Sequence, residues 1–474
     1  MPNAWELSVA EAAQAIRAGD LTAESLAEAL IARTQANAEL NAFVNFGPDA
    51  ILESARKADL ARRQGKLLGR LHGVPICLKD NIDAVGYATT ACTPALVGNN
   101  PKMNAPIVAA LLKEGAIIFG KNTMHELAFG ITSNNAAFGA VRNPYDPQMI
   151  PGGSSGGTAA AVAARLAPAG IGTDTGGSVR LPAALCGVAG LRPTVKRWPR
   201  QGIVPIASTR DTAGPIARSI DDLLIIDSVV TGEVEERSKI DLGGVRLGVP
   251  KKLYWENLES HVEAACSDAL KQLSALGITL VEVDLPDIEV LNQAISQIVA
   301  RYEPRVDIPA YLSDARSEVT LSDIVRKIAS PDVRHMMQGL LDEQTRVSTT
   351  AYSAAIDTYR PRLVQVFAEY FSRNGVDATI FPTSALCARP IGDDGTIELN
   401  GHRLPTFPSF IRNTDPGSNA GVPGVSLPIG LSPTGLPIGL AMDGPAGSDR
   451  RLLEIAAKMA EHFPRIRAPN VRPG

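Results

Sequence analysis

The chain has 474 residues, 45% of them hydrophobic and 20% charged, which excludes a disordered or collagen-like polymer and leaves ample material for a large core. Its 46 basic and 50 acidic residues give a net charge of -4, so there is no basic field to hold a nucleic acid backbone. No stretch approaches the roughly 18 uninterrupted apolar residues of a membrane span, and MPNAWELSVAEAAQ carries acids where a signal peptide is basic and then apolar. A cytoplasmic protein with no nucleic acid and no membrane partner is expected.

The five cysteines (Cys77, Cys92, Cys186, Cys266, Cys387) are odd in number, scattered and without a C-x-x-C pair, and the six histidines form neither H-x-x-x-H nor H-E-x-x-H. Reduced, buried thiols follow as the expectation, with no metal and no other cofactor.

In chain order, the N-terminal stretch reads as helices. Ser8 followed by Glu11 fits a capping box, and Leu26, Ala27, Leu30, Ile31 and Thr34 recur at helical spacing behind Thr22 as a cap. From LHGVPICLKD onward, short apolar runs bounded by Gly and Pro alternate with helical stretches (74–78, 107–112, 116–119), which predicts an α/β sheet covered by helices. Residues 150–202 are rich in Gly, Ser, Ala and Thr and suit tight turns that bring backbone near a ligand. Val262, Ala265, Cys266, Ala269, Leu270 and Leu273 then form an apolar helical stripe stopped by Gly277, with a strand at 278–283. Residues 287–375 read as mainly helical, and the prolines of GVPGVSLPIGLSPTGLPIGLAM predict short strands and hairpin turns.

No internal repeat or linker interrupts the chain. The expected organisation is one large domain in four stretches. Residues 1–66 are N-terminal helices that pack on or extend the core, and 67–230 are the α/β core. Residues 231–375 are a mainly helical insertion with short strands, and 376–474 are C-terminal strands and a helix that complete the same domain.

Three elements carry the chemistry: Lys79 after the apolar run GVPICL, the GGSSGG turn at 152–157, and GTDTGGSVR at 172–180. Each alone reads most simply as structure: a solvated charge, a flexible turn, a helix-capping serine. Two other matches lead nowhere. Gly152, Ser154 and Gly156 satisfy G-x-S-x-G, but the histidine base that this turn requires has only His261, His335, His402 and His462 as downstream candidates, in ordinary contexts. Residues 115–121 (GAIIFGK) imitate a phosphate loop, with Asn122 where a magnesium-binding hydroxyl belongs and a strand-like AIIF interior. Together and in order, the three elements do have one consistent use. A serine hydroxyl needs a base, and a lysine behind Val74, Ile76 and Leu78 can serve once burial has disfavoured its charged form.

This combination resembles the amidase signature family of serine hydrolases from about residue 71 to 220, and more weakly elsewhere. GGSSGGTAAAVAARLAPAGIGTDTGGSVRLPAALCGVAGLRPT holds the family's two serine turns in register, with 75 residues from Lys79 to Ser154 and 24 from Ser154 to Ser178. The resemblance implies the amidase signature fold, an α/β architecture in which a large mixed central β-sheet is covered by helices on both faces. It implies an amidase that works through an acyl-enzyme, with Ser178 as nucleophile, Ser154 as the bridging serine after a cis peptide bond, and Lys79 as base. Backbone N–H groups of Thr175, Gly176, Gly177 and Ser178 are expected to form the oxyanion hole, because paired glycines make such a turn sterically easy. Ser155 is expected to hydrogen-bond around Lys79, and Asp174 and Arg180 to hold the turn.

The finer resemblance, in MHELAFGITSNNAAFGAVRNPYDP and LPAALCGVAGLRPTVKRWPRQGIVPIASTRDTAGPIARSIDDL, is to the indoleacetamide hydrolases and the related mandelamide hydrolases. That implies a small-molecule primary amide as partner, an arylacetamide such as indole-3-acetamide, with Met124, Phe129 and Ile131 as candidate pocket residues. Three departures stand out: Asn122 and Thr123 reverse the usual order, Cys92 replaces a usual glycine, and Lys196 stands where glycine is common. Cys92 reads as a small buried hydrophobe, with narrowing of the acyl pocket as the other option.

Several alternatives stay open. They are the glutamine amidase subunit of a tRNA-dependent amidotransferase, an amidase for aliphatic amides, aryl amides or ureas, and a non-catalytic binding protein on the same fold. Oligomeric state is not readable from the sequence, a homodimer being one option.

Overall fold

The computed structural model describes residues 3–233 and 239–472. A mixed sheet of nine strands forms the centre: β1 (Phe43–Asn45), β2 (Pro75–Lys79), β3 (Ile117–Asn122), β4 (Ala169–Asp174), β5 (Ala189–Arg192), β6 (Thr212–Ala217), β7 (Phe381–Pro382), β8 (Gly424–Leu431) and β9 (Pro437–Asp443). Their order across the sheet is β1-β3-β2-β4-β6-β5-β8-β9-β7. β2 runs parallel to both β3 and β4, and the other neighbours are antiparallel. A large mixed sheet with helices packed on it is the fold expected from the sequence.

Local rules account for most elements. Ser8 and Glu11 close a reciprocal capping box on the helix Val9–Ala18, and the Thr22 side chain caps the helix Ala23–Ala36. The apolar runs at 74–78 and 116–119 become β2 and β3, whereas 107–112 becomes the helix Pro106–Lys113, opened by a proline at its first turn. Periodicity cannot separate these cases, since a short, wholly apolar run fits a buried strand or a buried helix equally well.

The strand expected at 278–283 is Thr279–Glu282. It joins Arg246–Val249 and Ala378–Thr379 in a separate three-stranded parallel sheet. Near the C-terminus the strands are longer than expected. β8 has eight residues and β9 seven, paired as one hairpin whose register shifts between Pro428 and Gly430. That irregularity lets a proline sit inside a strand.

One apolar cluster draws on both ends of the chain. It includes Leu26, Ile76, Ile171, Cys266, Leu427 and Met459, so N-terminal helices, sheet, later helices and C-terminal hairpin share a core. A second cluster joins the helices at 288–371 to residues 91–129 of the sheet region.

Candidate active site

β2 and β4 lie side by side and parallel, with Leu78 opposite Ile171, so both strands deliver their C-terminal residues to the same edge of the sheet. Sites in α/β folds form at such carboxyl ends. β2 ends on Lys79. β4 ends on Thr173 and Asp174 and runs into the turn 175–179 and the helix Arg180–Leu185.

The Lys79 side chain is completely buried. Its Nζ lies 2.7 Å from Ser154 Oγ and 2.7 Å from Thr173 Oγ1. Burial brings its pKa down to about 7, against the opposing pull of the Asp174 and Asp211 carboxylates. The Gly153–Ser154 peptide bond is cis. The hydroxyl of Ser154 thus meets a buried amine and no histidine ring among the described residues.

The two serine turns are tied together by backbone. Ser155 N–H donates to the Ser178 carbonyl at 3.3 Å, and β4 comes so close that a Cβ on Gly172 would lie 2.7 Å from Ser155 Oγ. Ser155 Oγ itself donates to the Thr173 carbonyl and accepts from Thr173 N–H, both at 3.2 Å. Its expected contact with Lys79 is therefore replaced by contacts with Thr173, the residue that Lys79 also touches.

The turn that carries Ser178 is locked by buried charge. Asp174 accepts from Arg180 Nε and Nη2 and from Arg192 Nη1, all at 3.1 Å, and from Val179 N–H at 3.2 Å. Burial works to raise the Asp174 pKa, but the two guanidiniums outweigh it and hold this carboxyl well below the usual range. Thr414 Oγ1 donates to the Gly176 carbonyl at 2.7 Å. Gly177 has φ +142°, and a Cβ there would collide with Thr414 Oγ1, so only glycine fits. The N–H groups of Gly176, Gly177 and Ser178 find no acceptor among the described residues. Thr175 is fixed through its side chain, which donates to Asp211 at 2.6 Å.

Ser178 is 7% exposed and opens onto a cavity of about 500 Å³. Thr175, Gly176, Phe129 and Ile131 also line it. Met124 does not: it is fully buried in the second apolar cluster. Cys92 is likewise off the cavity, its N–H donating to Asp80 Oδ2 at 3.2 Å and its side chain buried. Among the described residues, no group of three or more His, Cys, Asp or Glu is arranged to hold a metal ion, and no helix is long and apolar enough to cross a membrane.

The Amidase family model matches residues 25–453. The chain belongs to the amidase family. As an amidase it is a hydrolase of amide C–N bonds. It is 44% identical over 452 residues to an indoleacetamide hydrolase of Agrobacterium vitis, covering 95% of this chain and 96% of that one. It is 42% identical over 466 residues to a mandelamide hydrolase of Pseudomonas putida, covering 95% and 90%. A peptide amidase of Stenotrophomonas maltophilia superposes with a TM-score of 0.85 at 30% identity, covering 98% of this amidase and 99% of that chain.

Several residues around the turn carry little or no sequence signal of their own. Thr173 was visible only as part of GTDTGG, although strand alternation sets it apart from its neighbours. Arg192, Asp211 and Thr414 carry no local signal, because tertiary folding brings them to the turn from other strands and loops. Cys92 has φ +47° and Lys196 φ +73°, the left-handed region that glycine, the residue expected at both positions from the resemblance, occupies without cost.

Proposed function

We propose that this amidase hydrolyses an arylacetamide, with indole-3-acetamide as first candidate, through Lys79, Ser154 and Ser178. The observation that carries the reading is the 2.7 Å contact between a wholly buried Lys79 amine and Ser154 Oγ, one turn away from a serine that faces a large cavity. With its pKa near 7, the amine is substantially neutral at physiological pH and has a lone pair to accept a proton.

The steps follow from that. Lys79 takes the proton of Ser154 while Ser154 takes that of Ser178, and the freed Ser178 oxygen attacks the amide carbon. Negative charge develops on the carbonyl oxygen, where the N–H groups of the turn 175–178 stabilise it; single donors of this kind are worth about 10²–10³ in rate. The C–N bond then breaks as the nitrogen takes a proton back along the relay, and ammonia leaves. Water attacks the acyl-enzyme through the same relay and releases the carboxylate.

Support for an aromatic acyl group comes from the cavity. Phe129, Ile131, Ile206, Met336 and Phe407 give it apolar walls, and its volume accommodates a bicyclic ring. The names of the two relatives at 44% and 42% identity agree with that preference. The test is ammonia release across indole-3-acetamide, phenylacetamide, mandelamide, aliphatic amides, ureas and glutamine. Arylacetamides should give the highest kcat/KM. A preference for glutamine or a urea contradicts the substrate assignment and leaves the relay standing.

A further inference from the structure

Beside the substrate cavity lies a second, much smaller one of about 20 Å³. Asn81, Thr173, Thr175 and Asp211 supply polar wall, and the two cavities share Ala128, Thr175 and Ile206. This chamber is too small for an amide substrate. It has room for a single water, which needs roughly 10–15 Å³ measured in this way.

Its walls contain one donor and one acceptor that the protein leaves over. Thr173 Oγ1 meets Lys79 Nζ at 2.7 Å and accepts from Asn81 Nδ2 at 3.1 Å. A hydroxyl has two lone pairs and one hydrogen, so with both lone pairs engaged its O–H must donate elsewhere. On Asn81, the Val204 carbonyl at 3.3 Å identifies the nitrogen end of the amide. The other end, Oδ1, is buried without a hydrogen-bond partner among the described residues. Asp211 completes the wall. Its Oδ1 accepts from Thr175 and its Oδ2 from the N–H groups of Ile206 and Ala207 at 2.8 Å, and a carboxylate has capacity for more.

We propose that the chamber binds one water, which accepts from Thr173 and donates to Asn81 Oδ1 and Asp211, and that this bridge couples the Asp211 carboxylate to Lys79. Asn81 and Asp211 are then positioning residues for the base. The inference rests on the reading of Lys79 as that base. The charged groups acting on Lys79 are the Asp174 and Asp211 carboxylates, with Arg200 on the chamber wall, while burial keeps Cys92 a neutral thiol. Asp174 is already held by the Arg180 and Arg192 guanidiniums, whereas Asp211 is bonded by N–H and O–H donors, with burial raising its pKa to about 6 against the nearby Arg210 charge. A water between Thr173 and Asp211 therefore favours the ammonium that forms on Lys79 during each proton transfer.

Two measurements test this. A crystal structure of the wild-type enzyme at high resolution should show one water within hydrogen-bond reach of Thr173 Oγ1 and Asn81 Oδ1; a chamber without it overturns the proposal, whether or not any variant folds. In Asp211→Asn and Asn81→Leu, the Lys79 ammonium loses support. The ascending limb of kcat/KM against pH should then move to lower pH by about one pH unit, with kcat at the plateau down about tenfold and KM little changed. A lower kcat with the limb unmoved indicates packing damage alone and also overturns the coupling. Failure of the base reading shows separately, as turnover that survives Lys79→Met.

Discussion

The turn that carries Ser178 and the helices that face it across the cavity are built on opposite principles. Residues 172–180 are almost wholly buried, contain three glycines, and are fixed by backbone contacts and by the Asp174 ion pairs with Arg180 and Arg192. The facing wall comes from helices at Ile288–Tyr302, Pro331–Leu341 and Thr406–Ile411, which offer Ser296, Ala300, Arg301, Met336 and Phe407 as separate side chains. In the turn, geometry resides in the main chain, so almost any substitution disturbs the chemistry. On the wall it resides in side chains, so a substitution changes which acyl group fits and leaves the chemistry in place. The difference separates reaction type from substrate choice within one cavity.

The largest expected effect is on the turn. Ser178→Ala should lower kcat by about 10⁴-fold or more and abolish labelling by a fluorophosphonate, with thermal stability near wild type. Labelling that persists at another serine would reassign the nucleophile. Next comes the clamp behind the turn. Arg180→Ala leaves Asp174 with one of its two guanidinium partners and Asp443 without the one cation bonded to it among the described residues, both in a fully buried site. Removing one member of such a pair costs about 3–5 kcal/mol, to be read as loss of soluble enzyme or a large fall in the urea midpoint. A well-folded, active Arg180→Ala protein would show that the backbone alone holds the turn.

On the facing wall the expected effects are smaller and of another kind. Met336→Ala and Phe407→Ala should raise KM for arylacetamides by about three- to tenfold, as expected for roughly one or two lost apolar contacts, and leave kcat for small aliphatic amides within about twofold. A matching loss for both substrate classes would mean that the wall also supports the catalytic turn. The smallest effect is at Lys196, exposed and left-handed at φ +73°. Lys196→Gly should stabilise the fold by about 0.5–1 kcal/mol without touching activity, read as a small rise in Tm.

The same contrast explains what the sequence disclosed. Lys79, Ser154 and Ser178 sit in contiguous motifs, because a turn whose geometry lies in the backbone must be written in neighbouring residues. Ser8, Glu11 and Thr22 were legible for the same reason, since caps act over three or four residues. Phe129 and Ile131, expected at the pocket, do reach the cavity, while Met124 from the same stretch faces the core. Nothing in the periodicity of a short loop says which side chain faces which way. Arg301, Met336 and Phe407 were invisible, since their selection depends on how distant helices dock. Ser155 is expected to hydrogen-bond around Lys79, and its hydroxyl closes on Thr173, a contact created by the close approach of β4 at Gly172.

The relay requires Lys79 to be an amine and not an ammonium when substrate arrives. Titration of its Nζ by NMR, in enzyme labelled at lysine and assigned against Lys79→Met, measures that directly. Burial lowers the pKa, so the neutral fraction rises as pH passes through about 7, and kcat/KM should climb with the same midpoint. A lysine that stays charged to above about pH 9, with kcat/KM already at its plateau near neutrality, would contradict the account.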